Sequence, residues 1–326
     1  HNNRLAVKDS DVVLEKISGQ LDFDDVGIEG NQLSALLYGR PAKVAVWTQA
    51  GTTRISVAGK LGLLEQVLDR QSPLRPLVSG ESHWHVLLAI RGRPERGRRA
   101  DIGLEVTSSL RGTAIDLPPP FGKDKDGRRM LSIRIDRLDN PVKVLRFDYD
   151  DALSGLLKIA PGRKGPELLQ GHISLGAAEP QLPAADELLI SGRLATVHVT
   201  EWQSRWKAGA GGGGVPLRAD VTIDELEVAG HLMRDVRVQA AAAGRTWNIT
   251  ADGPAVAGEV QLMHSGSGLD QVMMNLERLV LEPAPHAVST SAVEPAAFPD
   301  LQISSRQLVY DGVDFGQLEL SAQKQA

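Results

Sequence analysis

Apolar and polar residues alternate with a period of two along most of the chain, which puts one set on each face of an extended strand. Val44, Val46 and Thr48 alternate with Lys43, Ala45 and Trp47, while Ile55 and Val57 alternate with Arg54, Ser56 and Ala58. The two runs flank Gln49-Ala50-Gly51, a hairpin spacing. Ile102, Leu104 and Val106 form a further stripe, as do Leu131, Ile133 and Ile135 against Ser132, Arg134 and Asp136. In the last third Val236, Val238 and Ala240 oppose Arg237 and Gln239. Trp247, Ile249 and Ala251 follow, then Val260 and Leu262, and the pattern runs on to Leu318 and Leu320. Each stripe predicts a half-buried strand, and together they predict a mainly β, antiparallel fold with a few short helices.

Three segments carry helical spacing. Leu63 to Arg70 places Leu63, Leu64, Val67 and Leu68 on one side and stops before Pro73. Asp151 to Lys158 is a shorter candidate, and Thr200 to Lys207 is a third, with Thr200 as N-cap and Trp202 and Trp206 one turn apart. Residues 208–214 (AGAGGGG) and 282–297 (EPAPHAVSTSAVEPAA) read as flexible linkers, so the chain divides into a segment 1–207 and a segment 215–326. Arg91 to Arg99 is a basic loop and Gly122 to Arg129 a charged turn.

The C-terminal segment repeats itself. Aligning Gly230 with Gly312 pairs Leu226 with Leu308, Val228 with Tyr310, Met233 with Phe315, Val236 with Leu318, Val238 with Leu320 and Ala240 with Ala322. The shared unit is strand, glycine turn, strand. Such a unit has one apolar face and cannot stand alone, so repetition implies a sheet elongated by stacking like modules.

Composition narrows the function. The 326 residues are 42% apolar, enough for a sizeable core, and the net charge of −5 gives no basic field to recruit nucleic acid. Aromatics make up 4%, so the apolar surface is aliphatic and suits hydrocarbon better than base or sugar stacking. The absence of cysteine excludes disulfides and thiolate chemistry. No apolar run is long enough to cross a bilayer, and the first residues do not resemble a signal peptide. The chain therefore reads as a piece of a longer protein whose targeting or anchoring segments lie elsewhere.

Candidate chemistry is thin. His83 and His85 flank Trp84 and project from one strand face, yet no third metal ligand is placed by spacing. His172, His198, His231 and His264 are isolated. Asp124-Lys125-Asp126-Gly127 lacks the later ligands of a calcium loop, with Arg128 and Ile135 where oxygens belong. Gly211 to Gly214 lack the lysine of a phosphate loop, and Ser265-Gly266-Ser267-Gly268 lacks the spacing of a nucleophile elbow. The sequence thus predicts a non-enzyme without metal or cofactor.

A set of local motifs resembles the YhdP branch of the AsmA-like envelope proteins, which also include TamB-type members. Gly80-Glu81-Ser82-His83-Trp84 resembles that family's glycine-to-tryptophan strand start, followed by Thr107-Ser108-Ser109-Leu110-Arg111-Gly112 and by Ile115-Asp116-Leu117-Pro118-Pro119-Pro120-Phe121-Gly122-Lys123. Gln170 to Gly176, Leu189 to Leu194 and Trp202 continue the family order, and Leu301 to Ile303, Leu308 and Phe315 to Leu318 resemble its closing repeat. The resemblance implies a periplasmic protein anchored in the inner membrane by a segment absent here. It also implies a long curved sheet with an apolar concave side, and phospholipid movement toward the outer membrane.

Period-two stripes fit two architectures, a sandwich whose apolar faces bury each other and an open sheet that leaves its apolar face as a groove. The repeat and the resemblance favour the open groove. The residues expected to line it and touch acyl chains are Val44, Val46, Ile55, Val57, Ile102, Leu104, Val106, Leu131, Ile133, Ile135, Val236, Val238, Leu318 and Leu320. Phospholipid acyl chains are then the expected partner. The alternative is an envelope scaffold or assembly factor that binds other envelope proteins through its sheet edges.

Overall fold

The computed structural model describes residues 4–6, 13–25, 27–62, 75–92, 101–162, 165–203, 215–265, 268–282 and 299–323. The chain divides into two compact units, His1–Asp116 with Gly122–Glu167, and Leu117–Phe121 with Leu168–Ala326. Both are built almost wholly of strand.

The first unit contains β1 (Arg4–Ala6), β2 (Val13–Ser18), β3 (Asp22–Phe23), β4 (Ile28–Leu37), β5 (Arg40–Gln49), β6 (Thr52–Leu61), β7 (Val78–Gly80), β8 (Ser82–Arg91), β9 (Asp101–Ser108), β10 (Thr113–Ile115), β11 (Leu131–Asp136), β12 (Lys143–Tyr149) and β13 (Leu153–Gly162). Its sheet is antiparallel and runs β1-β2-β4-β5-β6-β8-β9-β11-β12-β13. The short β3 lies on the same edge of β4 as β2, and β7 and β10 form a separate two-stranded ribbon.

The second unit holds the body of β14 (Gly165–Leu175), β15 (Leu188–His198), α1 (Val199–Gln203), β16 (Leu217–Val228), β17 (His231–Ala243), β18 (Thr246–Asp252), β19 (Val256–Ser265), β20 (Gly268–Leu281), β21 (Asp300–Tyr310) and β22 (Val313–Ala322), the strands hydrogen-bonded in that order. The antiparallel expectation gives way at β14–β15, β15–β16 and β20–β21, which are parallel. Parallel neighbours cannot be joined by a tight turn, so longer connections intervene at these places. The segment 282–297 therefore does not break the strand order: β20 and β21 pair directly, although residues 283–298 lie outside the described residues.

Glycine turns set the register. The hairpins β4–β5, β5–β6, β16–β17 and β21–β22 close on Tyr38-Gly39, Ala50-Gly51, Ala229-Gly230 and Asp311-Gly312, each with both residues at positive φ. That is the two-residue turn whose twist matches the strands it joins. The repeat read from the sequence is thus two copies of one hairpin. The second strand of each also carries a left-handed residue a few positions on, Asp235 in β17 (φ +52) and Gly316 in β22 (φ +75).

Two of the predicted helices differ. Residues 151–158 are not helical: Leu153–Gly162 is a strand paired to β12, with Gly155, Leu157 and Ile159 opposite Phe147, Leu145 and Lys143. The leucines at 153, 156 and 157 have helix-like spacing, but the period-two pairing with a strand already in place overrides it. The third helix starts at Val199, so Thr200 lies inside it and is not the cap, and Trp202 packs edge-to-face on Phe121 at 5.9 Å. Trp206 and the candidate helix 63–70 lie outside the described residues.

On the polar side of the second unit Asp220 accepts two hydrogen bonds from Arg237, at 2.8 and 2.7 Å, and one from Gln239 at 3.2 Å. These bonds hold its carboxyl below the usual carboxylate range, with Arg237 the largest cause. A depressed folded value contributes stability above the unfolded value and loses it as pH falls through the folded one. Because the pair is solvent-exposed, Asp220→Asn should cost under about 1 kcal/mol in urea melts at pH 7, and the difference from wild type should vanish toward pH 2.

Candidate functional site

Cross-strand register shows which side chains share a face, because partners opposite one another project to the same side. In the first unit Leu33, Val44, Val57, Val86, Val106, Ile133 and Phe147 form one row across β4, β5, β6, β8, β9, β11 and β12. The next row is Val46, Ile55, Leu88, Leu104, Ile135, Leu145 and Leu157. Ile102 stands opposite Ile90 on the same side, and Leu131 pairs with Ser108 and Tyr149. All the residues selected from the sequence in this unit therefore lie on one face. A row of seven strands spans about 30 Å at the usual strand spacing.

Sequence reading missed Val86, Leu88 and Ile90 of β8 and Leu145, Phe147 and Leu157 of β12 and β13. In β8 the run Val86-Leu87-Leu88-Ala89-Ile90 is apolar throughout and hides its own period. Only the partners on β6 and β9 reveal which of these side chains belong to the face.

The opposite face is polar. Arg134 lies 3.6 Å from Glu105, Ser56 Oγ is 2.9 Å from His85 Nε2, and Thr107, Ser132 and Asp148 follow along neighbouring rows. His83 and His85 project there, exposed. Among the described residues no group of three or more His, Cys, Asp or Glu is placed to hold a metal ion.

In the second unit one row is Ile190, Ala219, Ala240, Ile249, Val260, Met274, Ile303 and Leu320. Beside it run Val221, Val238, Ala251, Gly258, Leu276, Ser305 and Leu318. The back of this sheet carries Asp220, Gln239, Thr250, Glu259, Asn275, Ser304 and Glu319 in a single polar row.

Burial separates the predicted lining residues. Val46, Ile55, Ile102, Leu104, Val106, Leu131, Ile133, Ile135, Val238 and Leu318 are half-buried, and Leu320 is 43% exposed. A second sheet about 10 Å above would drive such positions to full burial, whereas neighbours in the row shield them only from the sides. Val44 and Val57 are buried more deeply. Val236 is wholly enclosed and belongs to a core with Met233, Val256 and Leu276, not to the open surface. The left-handed Asp235 makes this possible by resetting the alternation, so that Met233 and Val236 face the same side. Beyond the short β18–β19 hairpin β17 meets β20 directly, Leu232 N donating to Glu282 O at 3.0 Å. The apolar face of the second unit is thus closed at that end and open toward Ile249, Val260 and Ile303.

The first unit closes one end of its face with the motif residues. Ser82, Ser108 and Thr113 are buried and bonded together: Thr113 Oγ1 lies 3.1 Å from Ser82 Oγ, and Ser108 Oγ donates to His83 O at 2.7 Å while accepting from Leu110 N at 3.0 Å. Gly80 and Gly112, both at positive φ, let two backbones cross so closely that a Cβ on either would stand 2.2 to 2.3 Å from the other strand's carbonyl oxygen. Lys123 Nζ donates to the carbonyls of Leu110, Thr113 and Asp124, and burial pushes its ammonium below the ordinary lysine range. Burial likewise raises the Tyr149 phenol, over whose ring Arg129 lies at 5.5 Å. These residues are architectural. They seal Trp84 and Leu110, at 3% and 0% exposure, beside the open rows.

An amphipathic sheet whose apolar side is continuous from strand to strand, with its polar side engaged in small local pairs, defines a protein that presents an extended aliphatic surface. The family model described as YhdP protein matches residues 1–326. The chain belongs to the YhdP family of bacterial envelope proteins. No curated protein and no solved structure matches it. Among the described residues no helix is long and apolar enough to cross a membrane.

Proposed function

We propose that this chain is a non-enzymatic, lipid-handling part of an envelope protein, holding or conducting phospholipid acyl chains along its apolar sheet face between the inner and outer membranes. The reading places it in the periplasm, in a protein anchored to the inner membrane. The observation that carries it is the continuity of the half-buried aliphatic rows. Burying one methylene is worth roughly 0.8 kcal/mol, so a tail of about fifteen gains on the order of 12 kcal/mol before costs. Spread over monotonous rows, that gain lets a tail move with small barriers while its head group stays in water. A single deep pocket would trap it.

A photoreactive residue at Leu104 is expected to crosslink phospholipid, and one at the adjacent Glu105, on the polar face, is not. Equal yields at both positions would reject the face as an acyl surface. A second reading, a scaffold that recruits a partner strand, is favoured by the β21–β22 hairpin, where Tyr310 of β21 and Val313 and Phe315 of β22 are 45%, 56% and 62% exposed. Mass spectrometry of the purified chain discriminates the two, since the scaffold requires no bound lipid.

A further inference from the structure

The polar face of the first unit carries a feature that the apolar rows do not use. A depression there is lined by Lys43, Lys60, His83 and His85 around Ala58 and Gly59, and the paired Arg40 and Glu81 and the edges of Ala42 and Trp84 complete it. Register brings the four cationic or cation-capable groups together. Lys60 stands directly opposite His83, and Ala58 lies between Lys43 and His85 across the same three strands. All four are exposed. The small floor leaves room above it, whereas any larger side chain at 58 would fill the space.

The charge arrangement is one-sided. The chain as a whole carries more acid than base, yet the carboxylate in this lining, Glu81, is engaged by Arg40, and Glu105 on the neighbouring strand β9 is engaged by Arg134. Neither lysine has an acidic partner among the described residues. Lys60 and His83 are direct cross-strand neighbours, and Lys43 lies one residue pair away on the same face. Two lysines without acidic partners, grouped with two imidazoles, suit an anionic ligand.

We propose that the depression binds a phosphate group, with Lys43 and Lys60 supplying charge and His83 and His85 supplying ring N–H donors. The site is distinct from the apolar face and stands or falls without it. The phosphate can be free or part of a lipid head group, so two tail-free probes separate the sources: inorganic phosphate, and glycerophosphoglycerol, the head group of phosphatidylglycerol without its acyl chains.

Each probe is titrated into the full chain at constant ionic strength, with backbone amide NMR shifts followed at Lys43, Lys60, His83 and His85. Saturable shifts confined to this region are expected. Each lysine contributes about fivefold, on the order of 1 kcal/mol, so Lys43→Met with Lys60→Met should weaken binding about 25-fold. Arg146→Met, on the same face but outside the depression, should leave it unchanged. The side chains replaced are exposed, and an unaltered circular dichroism spectrum confirms that the variants fold. Binding of phosphate alone identifies free phosphate as the source, and binding of glycerophosphoglycerol alone identifies the head group. Binding of neither probe, or equal affinity in the double lysine variant, overturns the proposal.

Discussion

Replacing Ile133 by aspartate is expected to reduce acyl crosslinking on the apolar face at least about tenfold while leaving the sheet folded. Ile133 sits in mid-row between Val106 and Phe147 and is half-buried. In the lipid-free protein a carboxylate at this position still reaches water past its neighbours, so the folding cost is the lost aliphatic burial, about 1–2 kcal/mol. Hydrocarbon laid over the row removes that water. An unpaired carboxylate then loses its hydration, a penalty of several kcal/mol, and each 1.4 kcal/mol is about a factor of ten in occupancy. Thr107→Asp places the same charge on the opposite face and should leave crosslinking intact. Undiminished crosslinking in a folded Ile133→Asp protein would count against acyl chains on these rows.

The largest loss of stability is expected from Gly112→Ala. A methyl group there meets Glu81 O at 2.2 Å, with φ at +100°, so either the backbone crossing with Gly80 opens or the buried Ser82–Ser108–Thr113 cluster shifts. Both routes break buried hydrogen bonds, and the combined cost should reach at least about 3 kcal/mol. Gly51→Ala is the matched control. Its φ of +71° is also left-handed, but nothing lies within 4 Å of the added carbon, so only the intrinsic backbone penalty of about 1 kcal/mol remains. Urea denaturation of the two variants reads the difference directly, and similar losses would show that the crossing is not tightly packed.

The motifs by which the sequence resembles the family are thereby given a physical role. Gly80, Ser108, Gly112 and Lys123 do not assemble a reactive centre. They close one end of an apolar face with a buried, hydrogen-bonded knot, which is the kind of constraint that demands particular residues.

Period two, glycine turns and the repeat were sufficient to predict a mainly β chain and the hairpins at Ala50-Gly51, Ala229-Gly230 and Asp311-Gly312, because strand alternation and turn geometry are local properties. The apolar stripes of β5, β6, β9 and β11, which share one face, were legible for the same reason. Three things were decided only in the tertiary structure. Residues 151–158 became strand because β12 offered a pairing edge. The apolar run of β8 acquired a face only through its partners. Val236 left the surface for the core because β17 and β20 converge beyond a short hairpin, with Asp235 resetting the alternation. Each of these depends on contacts between residues distant in sequence, which local periodicity does not encode.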